Sequence, residues 1–188
     1  MYHRFNESKY PSTNIQLDIF NKQLEIIEDE GIKFIHPMDF EKSLSNNKED
    51  RKILLTIDDG LLSFYNNAWP ILKKKKIPFV LFVSTREVGS YNYMSWDQIV
   101  ELHNSDLVEI GNHSHSHEYL VEENPNFIKE DILKSIEIFK KKLGKNSIFF
   151  SYPFGEYSLE FKKIIKDLGF LFAFGQHSGV IDETKDLW

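Results

Sequence analysis

Two polar clusters in this chain have the residue types and spacing that metal-assisted chemistry requires. The first is Asp58-Asp59-Gly60, an adjacent carboxylate pair just after the apolar run from Ile53 to Ile57. The second is the run His113-Ser114-His115-Ser116-His117. Imidazoles four residues apart share one face of a helical turn, so His113 and His117 are expected to grip one ion. Of two adjacent carboxylates at a strand end, one can give that ion an oxygen while the other stays free as a base. A His/His/Asp site with a spare carboxylate is the minimum equipment for metal-assisted hydrolysis.

The apolar pattern shows which elements must hold these groups. Leu17, Phe20, Leu24 and Ile27 recur at helical spacing, and Gly31 ends that helix. Ile32 to Ile35 reads as a short strand, and Asn46 to Asp50 as a polar linker. Ile53 to Ile57, Phe79 to Val83, Leu107 to Ile110, Ile148 to Phe150 and Phe170 to Phe174 read as buried strands. Between them fall a helix from Phe64 to Lys75 kinked at Pro70, one capped by Ser95, one striped by Ile132, Ile136, Phe139 and Leu143, and one striped by Phe161, Ile164, Ile165 and Leu168. Continuous apolar strands alternating with helices predict a parallel sheet covered on both faces. Asp58-Asp59, the histidine run and Ser151-Tyr152-Pro153-Phe154-Gly155 each come just after a strand. Three polar clusters at strand C-termini favour a β/α barrel, although an open doubly wound sheet also places ligands there.

Composition removes several classes of function. The chain has 188 residues, enough for one domain with a buried core. Its formal net charge of −6 argues against nucleic acid and anionic membrane surfaces as partners. With no cysteine, neither disulfides nor thiolate metal sites are available. No apolar run approaches the roughly 20 residues of a membrane span. The stripes of Phe and Ile are core, Trp69 and Trp96 are packing residues, and Lys73 to Lys76 form a solvated helix end. His36, His103 and the central His115 are read as surface residues, and His3 as structural.

Thr56-Ile57-Asp58-Asp59-Gly60 resembles the first motif, T-F-D-D-G, of the polysaccharide deacetylases, the NodB-homology domain of carbohydrate esterase family 4. His113 to His117 resembles the second motif, H-[S/T]-x-x-H, and Ser151 to Gly155 is similar to the third, R-x-P-[F/Y]. Tyr2-His3-Arg4 and the helix from Phe20 to Gly31 are similar to the N-terminal flank of deacetylases of poly-N-acetylglucosamine type. The resemblance implies a distorted (β/α)7 barrel that removes acetyl groups from N-acetylated sugars with a divalent metal, usually zinc. Matched position by position, it implies Asp59, His113 and His117 as metal ligands and Asp58 as catalytic base. It also implies the backbone N–H of Tyr152 as donor to the oxyanion, with Pro153 and Phe154 in the substrate groove. Ser114 is expected to hydrogen-bond within its own loop and fix the imidazoles.

Two departures from the family pattern shape the expectations. Serine stands at position 151 where the third motif has arginine, and serine offers no charged fork to hold the catalytic carboxylate. Arg86 is the residue expected to reach the mouth in its place. The fifth motif, L-x-x-H, has no clear match. His177 is then the late histidine available as general acid, unless the acid lies beyond Trp188 or metal-bound water cycles the proton.

The expectation is a single domain over 1–188, with a core of about 51–176 and a flank of 1–50, cut from a longer protein at both ends. Its expected reaction is hydrolysis of the linear amide of an N-acetylated glycan. The alternatives are an amidohydrolase acting on a small non-sugar amide and an inactive metal-containing domain that binds glycan. No secretory leader is visible, so a cytoplasmic setting is the default, with a piece of an extracytoplasmic protein as the other reading. Oligomeric state is left open.

Overall fold

Burial on both faces decides this architecture. A computed structural model describes residues 1–44, 51–177, 180–181 and 186–187. The linker expected over 46–50 lies outside the described residues. The chain opens with β1 (Arg4–Phe5), β2 (Asn14–Ile15), α1 (Leu17–Asp29), β3 (Lys33–Phe34), α2 (Phe40–Leu44) and β4 (Lys52–Ile53). Next come β5 (Leu55–Ile57), α3 (Trp69–Lys75), β6 (Phe79–Val83), α4 (Trp96–His103) and β7 (Val108–Asn112). The chain then forms α5 (Pro125–Leu143), β8 (Phe149–Ser151), α6 (Leu159–Asp167) and β9 (Phe172–Phe174).

Strands β5 to β9 form one parallel sheet in simple chain order. That order, with helices in the crossovers, is the winding of a β/α barrel and not the reversed order of an open doubly wound sheet. The curled sheet is extended at both edges. Tyr2 bridges Ile57, donating its N–H to Thr56 O at 3.0 Å and accepting the Asp58 N–H at 2.9 Å. At the far edge the Ala173 N–H donates to Leu187 O at 2.8 Å. The result is a distorted (β/α) barrel, as the resemblance implied.

The middle strand β6 shows why the apolar runs are continuous. Phe79, Leu81 and Val83 pack with Phe20 and Leu24 of α1, Leu72 of α3, and Ile99 and Leu102 of α4. Val80 and Phe82 point to the other face, against Phe149, Phe172 and Phe40. Neither set of alternate positions reaches water, so neither is polar. Gly111 in β7 makes room for this packing: a Cβ there would lie 2.3 Å from the Phe82 ring.

Two local expectations need correction. The single strand from Ile53 to Ile57 is two: Lys52–Ile53 pairs with β3 and Leu55–Ile57 with β6, because the chain changes partner at Leu54. The helix from Phe64 to Lys75 opens as a π-helical segment, Phe64–Ala68, before α3 begins. Pro70 falls in the first turn of α3, where its missing N–H leaves no bond unmade. The Ser95 cap is present as a full capping box with Gln98.

Candidate active site

The C-terminal ends of β5 and β7 bring four side chains together, Asp58, Asp59, His113 and His117, and the end of β8 adds Ser151. Asp58 comes directly after β5 and is 4% exposed. The Ser151 hydroxyl, at the end of β8, donates to Asp58 Oδ2 at 3.3 Å, and Asp58 Oδ1 has no hydrogen-bond partner among the described residues. Burial pushes the Asp58 carboxyl above its ordinary pKa, and the charges of His113 and His3 offset only part of that rise. A carboxylate with one open oxygen and a raised pKa is suited to taking a proton.

Asp59 diverges from its neighbour because its backbone is left-handed, with φ of 75°, a conformation Asp tolerates better than most residues. Its Oδ1 lies 3.2 Å from His117 Nε2 and 3.5 Å from His113 Nε2. Burial opposes charge on Asp59, but the hydrogen bonds to His113 and His117 outweigh it and hold the carboxyl far below the usual range.

His113 is 2% exposed, and its Nδ1 is 2.7 Å from the carbonyl oxygen of Ser151. A carbonyl can only accept, so Nδ1 carries a proton and Nε2 is the atom turned to Asp59. Burial disfavours a second proton on this ring, yet the hydrogen bond to Asp59 and the charges of both carboxylates outweigh burial and raise its pKa. Ser151 therefore touches both halves of the site, through its hydroxyl on Asp58 and its carbonyl on His113.

The two imidazoles do not share a helical face, the arrangement their spacing favours. Residues 113–117 form a loop in which Ser114, with φ of 68°, and His117, with φ of 53°, are left-handed. That path brings the rings to 4.9 Å between centroids. Ser114 acts within its own loop: its Oγ accepts the His117 N–H at 3.0 Å, and its N–H donates to Asn112 Oδ1 at 2.9 Å. His115 is bonded rather than solvated, with Nδ1 2.8 Å from Thr85 Oγ1. His36 caps the turn Pro37–Asp39 by accepting the Met38 N–H at 3.2 Å.

Asp59, His113 and His117 each offer one ligand atom, and the three atoms lie within 4.8 Å of one another. Ligands about 2.0–2.1 Å from a tetrahedral ion sit about 3.3 Å apart. The separations of 3.2 and 3.5 Å to Asp59 Oδ1 match that edge length, and two imidazole nitrogens with one carboxylate oxygen are a donor set for a divalent cation.

Three expected residues stand elsewhere or are occupied. The Tyr152 N–H donates to Phe174 O at 2.9 Å as part of the sheet, so it is not free for an oxyanion. Arg86 does not replace the missing arginine: it pairs with Glu118 at 2.9 Å and Glu87 at 3.1 Å. His177 is exposed, and its ring rests on Tyr157 at 5.7 Å rather than on the four clustered side chains. Phe154 does border the site. It comes just after Pro153, is left-handed with φ of 61°, and its ring lies 5.1 Å from His117 and 5.7 Å from Tyr119. Gly155 makes this turn fit, since a Cβ there would meet Gln176 Cβ at 2.3 Å.

A family model described as polysaccharide deacetylase matches residues 45–173. The chain belongs to that family. The structure of IcaB from Ammonifex degensii is 30% identical and superposes with a TM-score of 0.86, covering 93% of this chain and 81% of that one. The Streptococcus pyogenes deacetylase PplD, solved with acetate, is 27% identical with a TM-score of 0.88, covering 100% of this chain and 86% of that one. The poly-β-1,6-N-acetyl-D-glucosamine N-deacetylase of Staphylococcus epidermidis is 27% identical over 181 residues, covering 89% of this chain. This chain spans 63% of that relative's length.

Proposed function

We propose that this chain is a divalent-cation-dependent hydrolase that removes N-acetyl groups from an N-acetylated glycan, with poly-β-1,6-linked N-acetylglucosamine as the substrate class its relatives suggest. One observation carries the reading: Asp59, His113 and His117 converge within 4.8 Å, and Asp58 stands beside them with an unpartnered oxygen. The acetate bound to PplD is the acid that such a reaction releases. We take Asp59, His113 and His117 as the ligands and zinc as the cation, because two imidazoles and a carboxylate are its common catalytic donor set.

A cation there supplies Lewis acidity, polarising the acetamide carbonyl and lowering the pKa of water toward about 7. The chain's own residues do the rest. Asp58 accepts a proton from the attacking water through Oδ1, while the Ser151 hydroxyl fixes Oδ2. Its raised pKa suits it to return that proton to the leaving amine nitrogen, so the amide yields a free amine and acetate. The Ser151 carbonyl holds His113 in the tautomer that presents Nε2. Phe154 is 54% exposed, and with Tyr119 it offers apolar ring faces to a sugar at the lip of the site.

The test is release of acetate from N-acetylglucosamine oligomers, compared between wild type and Asp58→Asn at equal metal content. Release that Asp58→Asn abolishes supports the proposal. Acetate from small amides but not from oligomers would give the reaction to a different substrate class, and no release from either would leave a binding domain.

A further inference from the structure

We infer that Asp131, on α5, is a positioning residue that sets the geometry of the cation site from behind the histidine loop. The inference rests on the reading of Asp59, His113 and His117 as ligands. Asp131 interrupts the buried stripe of Ile128, Ile132 and Ile136 and is itself 7% exposed. A carboxylate among isoleucines is costly unless its oxygens are hydrogen-bonded. Here they are: Oδ1 accepts the His115 N–H at 2.8 Å, and Oδ2 accepts the Ser116 N–H at 3.0 Å.

A census of the loop shows how much depends on this carboxylate. The His113 N–H donates to Val83 O at 3.1 Å. The carbonyls of Ser114 and His115 accept the N–H groups of Thr85 and Arg86 at 3.3 and 3.0 Å. Ser114 Oγ takes the His117 N–H, and Ser116 Oγ takes the Glu118 N–H. The end of β6 and the residues just past it thus grip the loop from one side. Asp131 grips the opposite side, through the two N–H groups midway between the ligands. Ser114 and His117 both adopt the left-handed backbone, which non-glycine residues hold only where surroundings enforce it. Without Asp131 the Ser116 N–H is buried and unpaired, and the loop is free to relax toward a conformation that parts the two imidazoles. Outer-sphere partners of this kind typically change metal affinity by about 10- to 100-fold when lost.

The experiment is zinc affinity by chelator competition, measured on wild type, Asp131→Ala, Asp131→Asn and Ile132→Ala. Amide hydrogen exchange at His115 and Ser116 is monitored in the metal-free proteins. Asp131→Ala should bind zinc about 10- to 100-fold more weakly and exchange both amides faster. Asp131→Asn keeps one acceptor oxygen and should fall between the two. Ile132→Ala lowers Tm through a core cavity but should leave zinc affinity unchanged, which separates positioning from general loss of stability. Should Asp131→Ala fail to fold, Asp131→Asn decides the matter by the same comparison. Wild-type zinc binding with no weakening in the Asp131 variants, or equal weakening in Ile132→Ala, overturns this inference alone. Wild type that takes up no zinc overturns the ligand reading and the inference with it.

Discussion

At the scale of single residues, the four groups divide by what surrounds them. Asp58 has burial, one hydroxyl and an open oxygen, whereas Asp59 has two imidazoles. Asp58→Asn should therefore retain the cation and lose acetate release by about 10²- to 10⁴-fold, the usual contribution of a general base; metal analysis and acetate assay on one preparation check both. Ser151→Ala removes a hydroxyl hydrogen bond to the Asp58 carboxylate, so a fall of about tenfold in kcat at constant metal content is expected. His113 sets a pH dependence. Its metal-free pKa is raised above the ordinary 6.5, and a ligand nitrogen must be free of its proton. Zinc affinity should weaken as pH falls through that raised value. The sign for stability is opposite: in metal-free protein the His113 contribution is fully present below 6.5 and is lost as pH rises through the folded value. Thermal melts in chelator across neutral pH, with and without added zinc, read both. The residue types at 58, 59, 113 and 117 are legible in the sequence, because few other chemistries need that set. Their partners are not. Asp131 reads as one more polar residue on a helix; the available signal is an acid inside a stripe of isoleucines. Arg86 is drawn to the mouth by sequence reasoning alone, because reach along a chain says nothing of Glu87 and Glu118 beside it.

At the scale of elements, strands aim the chemistry and left-handed residues finish it. β5, β7 and β8 run parallel in one curled sheet, and the residues just past their C-terminal ends meet. The final directions come from Asp59, Ser114, His117 and Phe154, all with positive φ. Period and composition are enough to reveal the strands and helices, because buried parallel strands are continuously apolar. They do not reveal the loop path, since four-residue spacing fits a helical turn as well as this loop. The break at Leu54 is hidden for a similar reason: a strand that changes partner remains apolar throughout. Two predictions belong here. Gly111→Ala drives a methyl into the Phe82 ring and should destabilise the fold by about 1–3 kcal/mol, read by denaturant unfolding. Phe154→Ala removes an exposed ring that lies against His117 but leaves all three proposed ligand side chains in place, so KM for the glycan should rise while metal content holds. An unchanged KM would take Phe154 out of the groove.

At the scale of the whole molecule, the barrel explains why residues as distant in sequence as Asp58 and Ser151 can share a hydrogen bond. The N-terminal flank is part of the same barrel. Tyr2 adds to the β5 edge and accepts the Asp58 N–H, so the flank steadies Asp58 as well as the sheet. Everything in the proposed reaction depends on a single cation held by Asp59, His113 and His117 while Asp58 stays off it. Diffraction at the zinc absorption edge from crystals grown with zinc tests this directly. One anomalous peak is expected about 2.0–2.1 Å from an Asp59 oxygen and from both Nε2 atoms, with Asp58 outside bonding distance. A peak ligated by Asp58, or strong zinc binding with no peak among these residues, would contradict it.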